Sequence, residues 1–328
     1  LVLIFGGFQV LEGTMPVGFL LAFLLYIQRI AMPIQQLATM YTEIQRAMAS
    51  GARIFELIDV QPEIEDSPQS IELPPVKGEI KFQKVGFAYE PGSDVLHDID
   101  FTVKPGEMVA IAGRTGAGKS SIASLIDRFY EVNRGEILLD GRNVATVTQQ
   151  SLRRQIGFVP QDPFLFSGSI EDNIRDGNLE ASHEEVIEAA KVAGAHDIIT
   201  HLENGYDTQV GERGGNLSPG QRQLICLSRA ILADPAILIL DEATSNVDTN
   251  TERIMQKSLF RVAKGRTCII IAHRLSTVTN ADRIIVLERG RIVETGSHRE
   301  LMDKQGIYYR MYETLNRASN QDQQDTLQ

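Results

Sequence analysis

The sequence predicts an α/β protein preceded by an all-α membrane fragment. Three observations carry this. Residues 1–34 hold only two charged side chains, Glu12 and Arg29. Four of the twelve prolines, Pro62, Pro68, Pro74 and Pro75, then fall together. Beyond them, short β-branched runs alternate with helical stretches as far as Arg317. A chain of 328 residues is long enough for two domains and a full core. The formal net charge of −11 leaves no whole-chain basic field for nucleic-acid phosphates. Hydrophobic residues at 43% and charged residues at 23% exclude general disorder. Two cysteines, Cys226 and Cys268, are too few for a disulfide scaffold and lack zinc-site spacing, which suits a reducing cytosol.

Taken in order, the first element is an apolar helix over Leu1–Leu11, followed by a tight turn at Glu12, Gly13 and Thr14. Met15–Leu37 follows as a span of 23 residues. At about 1.5 Å per residue it reaches across a hydrocarbon core of about 30 Å. No cationic region precedes the apolar run, so it does not read as a secretory signal. The start at Leu1, inside an apolar run and without an initiator Met, implies a larger protein whose earlier membrane helices precede this chain. A buried hairpin of a soluble domain is the alternative, since Gln28 and Arg29 interrupt the run. From Ile34 the positions Leu37, Tyr41, Ile44, Met48, Gly51, Phe55 and Ile58 recur at steps of three and four, with polar residues between. This predicts a helix leaving the bilayer and ending near Asp59. Residues 1–60 are therefore assigned to the end of a transmembrane domain, 61–75 to a linker, 76–317 to a soluble body and 318–328 to a disordered tail rich in Gln and Asn.

In the body, strands are predicted at Glu79–Val85, Met108–Ala112, Ile156–Val159, Ile237–Leu240, Thr267–Ala272, Arg283–Leu287 and Arg291–Glu294. Several are apolar throughout, as buried parallel strands are. Ser182 with Glu185 three positions later marks the start of a helix.

Gly113, Arg114, Thr115, Gly116, Ala117, Gly118, Lys119 and Ser120 follow one of these strands and open a helix expected to carry Ile122, Leu125, Ile126 and Phe129 on one face. Glycines let successive backbone N–H groups curl round a phosphate, and the helix N-terminus adds its positive end. Lys119 neutralises outer phosphates and the Ser120 hydroxyl suits Mg²⁺, so the loop is a triphosphate cradle. Asp241 and Glu242 end the strand Ile237–Leu240. Asp241 is placed to orient Mg²⁺ and its waters, and Glu242 to accept a proton from an attacking water.

Leu217, Ser218, Pro219, Gly220 and Gln221 lie between these two motifs. Together with Gln161 after Val159-Pro160, Ser245 to Asp248 after Glu242, and His273 after Ile271-Ala272, they give six ordered motifs across residues 79–301. The set resembles the nucleotide-binding domain of ATP-binding cassette (ABC) transporters, and the run Gln161–Asn173, the Gly211–Gly214 segment and the membrane helix in front resemble the exporter branch.

That resemblance implies a P-loop NTPase fold with a RecA-like core and a helical subdomain. It implies ATP and Mg²⁺ as cofactors, and ATP hydrolysis coupled to export of a drug- or lipid-like substrate. The implied setting is the cell inner membrane, multi-pass, with the nucleotide-binding domain cytoplasmic. Tyr89 resembles the aromatic on which adenine stacks. Ser121 belongs to the cradle, Gln161 senses the metal and the attacking water, and His273 contacts the γ-phosphate. Ser218, Pro219, Gly220, Gln221 and Asp248 face the nucleotide of a second half-transporter in a head-to-tail dimer. The metal set is Ser120, Gln161 and Asp241, the last through water. The other five histidines are expected at the surface.

The usual signature has glycine where this chain has Pro219, which removes one backbone N–H yet suits a helix start capped by Ser218. The asymmetry between an intact cradle and an altered signature favours a heterodimer over a homodimer. Two other classes share parts of the pattern. A chromosome-maintenance or repair ATPase carries a long coiled coil or zinc insertion, which the stretch from Ser120 to Leu217 lacks. A non-hydrolysing regulatory module lacks the base or the switch histidine, here Glu242 and His273.

Overall fold

In the computed structural model, the described residues are 1–241, 249–263, 265–272, 275–314 and 316. They form two compact units, residues 1–63 and 64–328. The expected tail, 318–328, lies outside the described residues.

The first unit contains α1 (Val2–Leu11) and α2 (Val17–Ile58). The turn between them places Gly13 at φ +73°, a conformation that costs glycine nothing. Among the described residues α2 alone is long and apolar enough to cross a membrane, with a mean hydropathy of 1.8 over its most apolar window. It runs unbroken for 42 residues through Pro33 and is closed by Asp59. Apolar span and amphipathic extension are thus one rod.

The second unit runs β1 (Ile80–Ala88), β2 (Asp94–Val103), β3 (Met108–Gly113), α3 (Lys119–Ile126), β4 (Arg134–Leu139), β5 (Arg142–Asn143), α4 (Gln149–Arg153) and β6 (Ile156–Val159). It continues with β7 (Gly168–Ser169), α5 (Ile170–Arg175), α6 (His183–Ala193), α7 (His196–Thr200), β8 (Gln209–Val210), α8 (Pro219–Leu232) and β9 (Ile237–Asp241). Then come α9 (Thr249–Ala263), β10 (Thr267–Ile271), α10 (Leu275–Thr279), β11 (Arg283–Glu288), β12 (Arg291–Gly296) and α11 (His298–Lys304).

The main sheet has the order β12-β11-β3-β10-β9-β6, parallel except for β12 at the edge. Alternate residues of its strands enter different cores. Ile237, Ile239, Ile269 and Ile271 pack with α3 and with the antiparallel sheet β2-β1-β4-β5. Leu238, Leu240, Cys268 and Ile270 pack with a helical cluster built from α5, α6, α8 and α9. Both faces being covered explains why β9 and β10 run apolar from Ile237 to Leu240 and from Cys268 to Ile271.

Between residues 64 and 77 the chain is docked on this body. Leu73 is buried and its N–H donates to Ser151 Oγ at 2.9 Å. Asp66 accepts from Gln149 N at 3.1 Å and pairs with Arg128 at 3.3 Å. The helix after the cradle is shorter than its pattern predicts. It stops at Ile126 because Arg128 takes φ +51°, so Phe129 leaves the apolar face and is 46% exposed. Both cysteines are free and buried.

Candidate functional site: a phosphate cradle at the end of β3

β3 delivers the chain to the cradle at Gly113, where an added Cβ would lie 2.5 Å from the Leu287 carbonyl oxygen. Gly116 and Gly118 take φ +79° and +101°, turning the loop back toward α3. At Gly118 a Cβ would also lie 2.5 Å from Leu96 Cδ2. The loop is held from behind: Gly290 N–H donates to Ala117 O at 3.2 Å, and His97 N–H donates to Gly290 O at 2.8 Å. Gly118 is the N-cap of α3 and supplies no side-chain acceptor, so the first-turn N–H groups keep their capacity for an anion.

Lys119 is 5% exposed, and its Nζ donates to Gly113 O at 3.0 Å and Arg114 O at 3.2 Å. The ammonium thus sits over the loop that precedes it. Burial lowers its pKa from the ordinary value, and the negative charge of Asp241 opposes that shift. Asp241 is the buried last residue of β9, in register with Ile271 of β10, which is itself in register with Ile111 of β3. The carboxylate and the cradle therefore share the C-terminal edge of the sheet. Arg114, Thr115, Gly116 and Ser120 are exposed, whereas Ala117 and Ser121 are buried.

Tyr89 stands just beyond β1, half-exposed, and its hydroxyl is 2.9 Å from Ser121 Oγ. Its ring meets Phe87 at 4.7 Å and Tyr130 at 5.0 Å, edge-on to both. Sequence reasoning singled out Tyr89 and missed Tyr130, which lies outside every motif and has no local signal. It likewise missed the segment after α11. A cavity of about 670 Å³ beside the cradle is lined by Gly113, Arg114 and Thr115 on one side and by Ile307, Tyr308 and Met311 on the other.

Gln161 is exposed just beyond β6. Ser218 caps α8: its Oγ accepts from Gln221 N–H at 3.2 Å, its own N–H donates to Gln221 Oε1 at 2.8 Å, and Pro219 is the first helical residue. Ser218 and Pro219 are exposed and Gly220 is buried. The described side-chain hydrogen bonds of Ser218 and Gln221 join these two residues and none reaches the cradle. Glu242, Ser245, Asp248 and His273 lie outside the described residues. Three of the five histidines expected at the surface, His97, His196 and His298, are half-buried instead, and the last two hold the hydroxyls of Tyr206 and Tyr308 at 2.9 and 2.7 Å. No group of three or more His, Cys, Asp or Glu side chains able to hold a metal occurs among the described residues.

Residues 96–245 match the family model described as "ABC transporter". The chain is 46% identical over 306 residues to the fatty acid ABC transporter ATP-binding/permease protein of Mycobacterium tuberculosis, covering 93% of this chain and 48% of that protein. It is 44% identical over 312 residues to the ATP-dependent lipid A-core flippase of Syntrophus aciditrophicus, with coverage of 95% and 52%. A bacterial Atm1-family ABC exporter with ATP bound superposes with a TM-score of 0.76 at 42% identity, over 92% of this chain and 53% of that one. The chain thus spans about half the length of the curated relatives it matches.

Proposed function

This chain belongs to the ABC transporter family and carries its ATP-binding domain; on that premise we propose that it is the ATP-hydrolysing part of a membrane exporter half-transporter. The observation that supports this most is the uncapped start of α3, with Lys119 folded over the loop and the charge of Asp241 felt at the same point. A glycine loop, a buried ammonium and an acidic strand end are what binding and splitting a nucleoside triphosphate requires.

In this reading the loop N–H groups of residues 113–121 and Lys119 hold the phosphates, and the Tyr89 ring stacks on the base. Glu242, next in sequence after Asp241, accepts the proton of the attacking water, and His273 contacts the γ-phosphate. The metal that fits is one taking most of its oxygens from phosphate and water: the exposed Ser120 hydroxyl, Gln161 and Asp241 would hold Mg²⁺, which supplies charge neutralisation on the phosphates. Ser218, Pro219, Gly220, Gln221 and Asp248 complete the site of a second half-transporter, with a heterodimer favoured by the altered signature. Two relatives are named for a fatty acid and for lipid A-core. We assign this chain's cargo to the drug- or lipid-like class on that similarity. A chromosome-maintenance reading is disfavoured because the longest helix between residues 120 and 217 is α6, of 11 residues.

The test is Glu242→Gln in the full-length transporter in proteoliposomes. Turnover falls by on the order of 10²–10⁴ while nucleotide affinity is kept, because an amide cannot take the proton. Equal turnover in variant and wild type removes Glu242 from the mechanism.

A further inference from the structure

Tyr89 reaches across 32 residues of sequence to a side chain of the cradle itself, with its hydroxyl 2.9 Å from Ser121 Oγ. The ring is not free to wander: Phe87, 3% exposed, anchors the end of β1, and Tyr89 is packed edge-on against both Phe87 and Tyr130. Packing of the ring therefore aims the hydroxyl. Its partner Ser121 is the third residue of α3 and only 5% exposed, and this bond to Tyr89 is the one described for its side chain.

We infer that Tyr89 is a positioning residue for the phosphate end of the site as well as a platform for the base, donating its O–H to Ser121 so that the Ser121 hydroxyl hydrogen is turned toward a bound phosphate. The direction follows from chemistry. A phenol is the more acidic hydroxyl and the better donor, while serine carries two acceptor lone pairs and one hydrogen. With Tyr89 as donor, Ser121 keeps its hydrogen for the anion. A chain of donors ending on a charged oxygen polarises along its length, so each link strengthens the next. The opposite arrangement, Ser121 donating to Tyr89, spends the one hydrogen and makes the phenol a competitor of the phosphate.

This rests on the proposed nucleotide site, and the experiment separates the two ideas. The full chain in lipid nanodiscs is titrated with tripolyphosphate, which has no base, and with adenylyl imidodiphosphate, a non-hydrolysable ATP analogue. Tyr89→Phe keeps the ring and removes the donor; it weakens both ligands by the same factor, about five-fold. Ser121→Ala weakens both at least as much, and Tyr89→Phe combined with Ser121→Ala is no weaker than Ser121→Ala alone. Unliganded thermal unfolding shifts by no more than a few degrees in Tyr89→Phe, since the ring packing is retained and one hydrogen bond is lost. Tripolyphosphate affinity that is unchanged or tighter in Tyr89→Phe overturns the proposal, as does a double variant whose loss equals the product of the single losses. Tyr89→Ala addresses the stacking idea. Weakening the analogue beyond Tyr89→Phe supports it, whereas equal affinities remove base stacking and leave the hydroxyl's role standing.

Discussion

Two helices of the same body begin in opposite ways. α3 begins at Gly118, left-handed and without a side-chain acceptor, whereas α8 begins at Ser218, whose side chain and backbone exchange hydrogen bonds with Gln221. α5, α6 and α11 share the second arrangement, through Ser169 with Asp172, Ser182 with Glu185 and Ser297 with Glu300. A capping box satisfies the orphan N–H groups from within the chain, and its absence leaves them for a ligand. α4 and α7 also start without a side-chain cap, from Thr148 and Ala195, but only at α3 is the uncapped start a left-handed glycine that closes a glycine-rich loop. The segment at Ser218 is self-satisfied, and anything that engages it meets a first turn already partly bonded.

The largest effect belongs to the open helix. Gly118→Ala places a Cβ at φ +101° and 2.5 Å from Leu96 Cδ2. Nucleotide affinity measured by titration falls on the order of 10–100-fold, the equivalent of about 1–3 kcal/mol of backbone strain. Undiminished affinity breaks the claim that the loop conformation makes the site.

The far ends of the two helices sharpen the contrast. α8 closes at Ala233, while α3 closes at Asp127, a buried carboxyl that burial pushes up to about 6 against the opposing charge of Arg153. Its folded pKa stands above the unfolded one, so the native state binds more protons between about pH 4 and 6. Its contribution to stability is fully present below that window and lost as pH rises through about 6. Asp127→Asn therefore stabilises the protein by of order 2 kcal/mol at pH 7 and flattens the unfolding profile between pH 4 and 6. An unchanged pH slope excludes Asp127 as the group responsible.

At α8 the effects are smaller. Ser218→Ala removes the cap and costs about 1 kcal/mol, a melting shift of a few degrees, with the chain's own nucleotide affinity unchanged. Pro219→Gly costs less again, a few tenths of a kcal/mol, because the first helical position needs no N–H. A larger loss in Pro219→Gly than in Ser218→Ala places the start of α8 under the control of proline rather than the capping box.

How much of this was legible follows from which faces are covered. β3, β6, β9, β10 and β11 lie between two cores, read as continuous apolar runs, and stand within a residue of their predicted bounds. β2 and β4 were missed because their burial is mixed along the strand, and the pairing of β1 with β2 shifts register three times. Lys84 and Asp98, both at positive φ, mark these irregularities and break the two-residue period. In the site, the cradle was readable because its chemistry is contiguous in sequence. The link from Tyr89 to Ser121 and the edge-on ring of Tyr130 come from tertiary packing alone.

The turn at Gly290 carries a consequence for how this gene can change. Gly92 and Gly290 both sit at positive φ, +89° and +72°, and a sequence reader would treat them alike. Around Gly92 an added methyl meets nothing within 4 Å, whereas at Gly290 it lands 2.1 Å from the Val95 carbonyl, beside the backbone bond that braces Ala117. Mutational drift is thus open at one glycine to residues such as Asn that tolerate a left-handed backbone, and closed at the other to every side chain. A codon 170 positions downstream of the cradle inherits the cradle's own intolerance to substitution.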